Sequence, residues 1–219
     1  MSRKTSTKNQ RLILSTEERL RKELIFINNP VLVEGLALAP VIGAAVSARN
    51  AAMMALMILT LLIPTRFLGN FLIGFVPQRL RAMICAFMAC GCYIPGHILL
   101  TSLFGVRVAS LGIYLPMLVV DSIIITRTEI PQRESIADSF INGIRTSFGF
   151  AFAVLLVGAV RELAGLGRIW GIEVLSSPPL PIAVTAAGGF IAVAVLAAVF
   201  QNFISMTKRA IYRGARDSE

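Results

Sequence analysis

The sequence predicts an all-α integral membrane protein with six transmembrane helices. They form two inverted three-helix repeats, and helices 1 and 4 are broken. Three observations lead there: an apolar composition, six long apolar stretches, and matching interruptions in the first and fourth of them. Of 219 residues, 56% are hydrophobic and 15% charged, with a mean hydropathy of +0.76. Ordinary soluble domains carry about 25% charge, so a water-soluble globule and a disordered chain are both excluded. A β-barrel does not fit either, because alternating polar and apolar ten-residue segments are missing.

A helix crossing the hydrocarbon core needs about 20 mostly apolar residues. Six stretches qualify, at 31–48, 51–76, 82–104, 108–126, 139–163 and 181–206. They divide the chain into a tail over 1–29, a six-span domain over 30–207 and a second tail over 208–219. The first tail holds Arg3, Lys4, Lys8, Arg11, Arg19, Arg21 and Lys22. It lacks the short apolar run and cleavage pattern of a signal peptide. Ser15 and Glu18 have capping-box spacing, and Leu20, Leu24 and Ile27 recur at helical intervals, which predicts a short amphipathic helix on the membrane surface. An even number of spans puts both tails on one side. That side, with the 77–81 and 127–138 loops, collects fifteen Lys/Arg, against Arg49, Arg107 and Arg168 on the other. Both termini are therefore expected in the cytoplasm. The same distribution explains the high pI through topology anchors, so nucleic-acid binding is not expected.

Span 1 is short and carries Glu34, Gly35, Pro40 and Gly43. Span 4 is also short and carries Gly112, Pro116 and Asp121. Short, Gly/Pro-interrupted segments at corresponding places in two halves point to broken helices meeting near the midplane at a functional site. With three spans each, the second half must lie upside down relative to the first. The breaks are expected near Pro40 and Pro116. Two ordinary kinked helices would give the same sequence pattern.

Charges inside spans are costly and usually face a partner or water. Asp121, well inside span 4, has the strongest claim to function, as an ion or proton pathway residue. Glu34 is the second candidate, although it lies near the start of span 1. Arg66 follows Pro64 in span 2, where a kink or an interior partner could accommodate it. In span 5, Arg145 lies near one end and Arg161 and Glu162 near the other, where snorkelling to the interface is the plain explanation. In span 3, Cys85, Cys90 and Cys92 lack the spacing of a metal cluster and read as core packing. His97 is either a satisfied core histidine or a ligand or proton relay. Gly188-Gly189 in span 6, after the turn-like Ser176-Ser177-Pro178-Pro179, allows close contact. No P-loop, GxGxxG, HExxH or GxSxG marks a soluble-type catalytic site.

Three ordered blocks carry a family resemblance over about residues 28–167. The first is Asn29-Pro30-Val31-Leu32-Val33-Glu34-Gly35-Leu36-Ala37-Leu38-Ala39-Pro40, similar to N-x-x-L-V-Q-x-L-G-L-C-P. The second is Leu111-Gly112-Ile113-Tyr114-Leu115-Pro116 through Asp121-Ser122 to Arg127-Thr128-Glu129, similar to L-G-I-[FY]-[IL]-P…N-C…R-A-E. The third is Gly158-Ala159-Val160-Arg161-Glu162-Leu163 with Gly165 and Gly167, similar to G-[AS]-[IVL]-R-E-[IL]-x-G-x-G. The chain resembles the E-type membrane subunit of Rnf/Rsx electron-transport complexes, whose counterpart in the sodium-pumping NADH:quinone reductase is the D-type subunit. Termini in the cytoplasm favour the E-type over the A-type sister.

The resemblance implies a complex of the bacterial cytoplasmic (inner) membrane. It would couple electron transfer on the ferredoxin/NADH side to translocation of Na⁺ or H⁺. It also implies flavins and iron–sulfur clusters in partner subunits, and an inverted A-type sister sharing a [2Fe–2S] cluster inside the bilayer. Each sister would give one cysteine from each broken helix. Those two positions are Ala39 and Ser122 here, and the flanking Gln and Asn have become Glu34 and Asp121. Neither Ala39 nor Ser122 supplies a thiolate, so this chain is expected not to ligate the cluster. The alternative to a redox-complex subunit is a non-redox ion or solute transporter, or a scaffold module, on the same inverted-repeat fold.

Overall fold

The computed structural model describes residues 29–129 and 136–217. The amphipathic helix expected before residue 28 lies outside the described residues. Seven α-helices follow in order: α1 (Leu38–Ala44), α2 (Ala48–Leu72), α3 (Arg81–Phe104), α4 (Tyr114–Met117), α5 (Ser122–Glu129), α6 (Ile136–Leu166) and α7 (Ala186–Asp217). Among the described residues, four helical stretches are long and apolar enough to cross a bilayer: Ala48–Leu72, Gln78–Leu111, Ala137–Leu166 and Ala186–Thr207. At 1.5 Å per residue, the shortest of these stretches reaches about 33 Å, a little more than a hydrocarbon core of about 30 Å. α2 runs through Pro64 and α3 through Pro95 without ending. Helix α7 continues past Thr207 to Asp217, where the sequence divided off a tail.

The centre of the molecule is the pair α2 and α6, which share the most extensive packing. Met53, Met54, Met57, Ile58, Leu61 and Leu62 of α2 meet a buried face of α6 that includes Phe150, Ala153, Val154 and Val157. Their approach needs Gly158, where a Cβ would come within 2.7 Å of the Ala51 Cβ and 2.9 Å of the Ser47 carbonyl oxygen. Helices α3 and α7 stand outside this pair and present large apolar side chains outward, Phe87 and Phe203 among them. In a bilayer such faces meet lipid or a neighbouring protein.

Helix ends alternate between the two ends of the bundle. Hydrogen bonds join the end of α6 to the start of α2 and to the 170–171 turn, and Asn50 meets Ser110 beyond α3. The opposite end holds the α2–α3 connection and the start of α6, where Gly143 packs on Ile63 and Arg66. A two-residue hairpin, Arg168–Ile169 with Ile172–Glu173, closes the first end. Its turn residues Trp170 and Gly171 have φ of 59° and 84°, as the tightest hairpin turns require. The apolar runs of the sequence contain no sign of it.

The two stretches expected to be spans 1 and 4 are both interrupted, three to five residues from Pro40 and Pro116. Pro40 lies in the first turn of α1 and Pro116 within the four-residue α4. A proline near a helix start lacks only an N–H that would have had no intrahelical partner. The first interruption lies at Gly35–Ala37, where Gly35 and Ala37 have φ of 71° and 58°. The second is at Asp121, an extended residue (φ −69°, ψ 151°) between a 3-10 turn over Leu118–Val120 and α5.

Candidate functional site

The two interruptions meet. Asn29 opens the first, with its Oδ1 accepting the N–H groups of Val31 and Leu32 at 3.0 Å each, an N-cap with proline following. Its Nδ2 donates to Gly149 O at 2.8 Å, fixing the turn against α6. The turn closes where Leu36 N–H returns to Pro30 O. Ala37 then takes a left-handed conformation, strained for a residue with a Cβ. Its N–H donates to Ser122 Oγ at 3.2 Å, across 85 residues of sequence.

On the other side of that contact, Asp121 caps α5. Its Oδ1 accepts the Ile123 N–H and the Ser122 hydroxyl, both at 3.1 Å, and the residue is buried. From this junction α1 rises to the end of the bundle where α2 begins, and α5 descends to the end where α6 begins. Ala39 and Ser122 are both exposed on the chain, as is Val120.

Glu34 is engaged by Arg127, whose Nη2 donates to Glu34 Oε2. This ion pair joins the turn before the first break to the far end of α5. The sequence places the two residues in separate blocks with no sign of their pairing. The two carboxylates therefore have different partners: Glu34 a guanidinium, Asp121 a hydroxyl and a helix N-terminus. Among the described residues, no group of three or more His, Cys, Asp and Glu side chains could hold a metal ion.

The donor set also disagrees with an iron–sulfur cluster. Such clusters are held by soft, negatively charged thiolates. At the junction stand the Ala39 methyl and a Ser122 hydroxyl that already bonds Ala37 and Asp121. Cys85, Cys90 and Cys92 all lie on α3, and Cys85 packs with Met88 and Ile84.

Arg161 and Glu162 lie otherwise than their place near the end of an apolar run suggests. Far from snorkelling, Arg161 is fully buried and Glu162 nearly so. The Arg161 guanidinium donates to five backbone carbonyls. Ile42 (2.6 Å) and Ala45 (3.2 Å) belong to the end of α1; Ala183 (2.9 Å), Val184 (3.2 Å) and Thr185 (3.1 Å) precede α7. Glu162 accepts Ala48 N–H at 2.8 Å, at the start of α2, and Gly171 N–H at 2.9 Å in the hairpin. A cation on a helix C-terminus and an anion on a helix N-terminus both complement the helix dipoles. The pair thus fastens the end of the first broken segment. Gly189 makes the space: a Cβ there would lie 2.9 Å from the guanidinium carbon. Arg145, by contrast, is exposed, in keeping with a snorkelling role.

Comparison with known proteins places these residues in a family. The sequence model of a family described as "Rnf-Nqr subunit, membrane protein" matches residues 19–197. The E-type subunit of the ion-translocating oxidoreductase complex of Shewanella frigidimarina is 29% identical over 159 residues, 72% of this chain and 69% of that protein. The E-type subunit of the proton-translocating ferredoxin:NAD(+) oxidoreductase complex of Clostridium ljungdahlii is 26% identical over 185 residues, 83% of this chain and 87% of that protein. Its counterpart in the ion-translocating oxidoreductase complex of Haemophilus influenzae (strain PittEE) is 29% identical over 151 residues, covering 68% and 64%. With three sequence blocks at the junction and its fastening, and a family match over most of its length, the chain belongs to the Rnf-Nqr family of membrane subunits.

Proposed function

We propose that this chain is the E-type membrane subunit of a complex coupling electron transfer, on the ferredoxin/NADH side, to ion translocation. The observation that carries the reading is the junction itself. Two family blocks from opposite halves of the chain converge where Ala37 N–H meets Ser122 Oγ at 3.2 Å. The relatives named for ion-translocating complexes support the same reading.

In this reading the broken segments complete six crossings in two inverted repeats. Its support is the opposed course of α1 and α5 from one meeting point, and a packing pattern with matching partners. The last long helix of each half, α3 or α7, packs on the broken segment of the other half. Broken helices meeting this way make midplane sites for ions and substrates in membrane transporters. The inverted A-type sister covers the exposed face that holds Ala39 and Ser122. Flavins and iron–sulfur clusters in partner subunits carry the electrons. This chain supplies the scaffold and, at Asp121 and Glu34, the carboxylates of the ion or proton pathway, without ligating the intramembrane cluster. The complex sits in the bacterial inner membrane with both termini of this chain cytoplasmic, as the basic tails favour.

The test is isolation of the tagged chain from its native membrane in mild detergent. Flavin-bearing and iron–sulfur subunits are expected to co-purify, and membrane vesicles lacking this chain should lose ion uptake driven by the electron donor. A chain that purifies alone and transports a solute without any redox partner would contradict the reading.

A further inference from the structure

At the first end of the bundle lies a cavity of about 290 Å³, lined by residues that include Ser47, Arg49, Asn50, Arg107, Ser110 and Trp170. It lies away from the junction, and of the three sequence blocks that carry the family resemblance only the third reaches it, through Glu162. Only three arginines or lysines lie in the loops of this end by the charge pattern: Arg49, Arg107 and Arg168. Arg168 pairs with Glu173. The other two, 58 residues apart in sequence, converge on one cavity. The topology bias that places basic residues at the opposite end does not account for them.

Neither makes an ion pair among the described residues, and their two positive charges exceed the single carboxylate of the lining. Glu162, the one carboxylate among the lining residues, has its two oxygens engaged by the N–H groups of Ala48 and Gly171. Arg49 donates from one Nη to Trp170 O, 3.2 Å away. The Arg107 side chain has no hydrogen-bond or ion-pair partner among the described residues. The cavity also opens at the start of the 25-residue α2. In that first turn the N–H groups of Ala48, Asn50 and Ala51 are bonded, and that of Arg49 has no partner among the described residues. Ser110 and Asn50 add a hydroxyl and an amide to the wall. Trp170, the single tryptophan of the chain, is partly exposed at the cavity. Tryptophan concentrates at the level of lipid headgroups.

We propose that this cavity binds a phosphate group between the guanidinium groups of Arg49 and Arg107. Planar guanidinium forks match the oxygens of phosphate, and the start of a long helix favours an anion beside them. The phosphate could belong to a phospholipid of the outer leaflet or to free phosphate, since both present the same oxygens.

Binding is tested on the complex isolated in detergent and stripped of lipid. Thermal stabilisation is titrated with phosphatidylglycerol, with diacylglycerol of the same chains, and with inorganic phosphate. The expected result is stabilisation by phosphatidylglycerol and none by diacylglycerol. The apparent affinity should fall at least tenfold in Arg107→Gln and be partly restored in Arg107→Lys. Inorganic phosphate as effective as the lipid identifies free phosphate as the source; a response to the lipid alone identifies the headgroup. Arg107 is exposed, so the unliganded variant should melt with the wild type. An equal response of wild type and Arg107→Gln would overturn the proposal. So would equal stabilisation by diacylglycerol, or a carboxylate of a neighbouring protein seated between the two arginines.

Discussion

Arg161→Met is expected to remove most of the folded protein from the membrane. The side chain holds five carbonyl oxygens, from the end of α1 and the segment before α7. Each buried acceptor left without a donor costs about 1–3 kcal/mol. Even if three of the five found other donors, the loss would be several kcal/mol, a large share of ordinary protein stability. Lysine has three donors on a single nitrogen and cannot span two separate groups of carbonyls. Arg161→Lys should therefore recover only part of the yield. Arg145→Leu, at an exposed position of the same helix, should leave it almost unchanged. Thermal melting of the detergent-solubilised variants measures the effect. A wild-type melting temperature for Arg161→Met would show that the five bonds contribute little.

Asp121→Asn should separate transport from assembly. Asparagine keeps an oxygen at the cap of α5, so the bonds to Ile123 N–H and Ser122 Oγ can persist. What disappears is the negative charge at the junction. On the pathway reading, redox-driven ion uptake falls tenfold or more while the subunits still co-purify. Asp121→Leu removes cap and charge together and should also lower stability by about 1 kcal/mol. If Asp121→Asn transports ions like the wild type, the carboxylate is a helix cap and nothing more.

The long helices are legible in the sequence because each carries its own signal, a long and mostly apolar run. The breaks are legible in kind but lie several residues from where proline points. At Pro40 and Pro116 the proline lies inside a short helix, and the chain turns at Gly35–Ala37 and Asp121. The role of Arg161 is hidden for a different reason. Its partners lie as far as 119 residues away, and a charge a few residues from the end of an apolar run looks the same whether it snorkels or locks. The signal that could have revealed it is its place in the third sequence block, next to Glu162. The pairing of Glu34 with Arg127 is hidden similarly, because it crosses between two halves that share no visible sequence similarity. The positions that the resemblance assigns to cluster ligands need only the chemistry of the residues: alanine and serine offer no thiolate, whatever surrounds them.

Electron paramagnetic resonance of the reduced complex, wild type against Ser122→Ala, tests most directly whether the junction of this chain works without ligating iron. Of Ala39 and Ser122, the positions that the resemblance assigns to cluster ligands, only serine has a side chain that could bind iron, so its replacement removes every possible side-chain ligand at those two positions. After signals of the soluble iron–sulfur subunits are subtracted, the two spectra and iron contents should be the same. A [2Fe–2S] signal in the wild type that is lost or shifted in Ser122→Ala would contradict it.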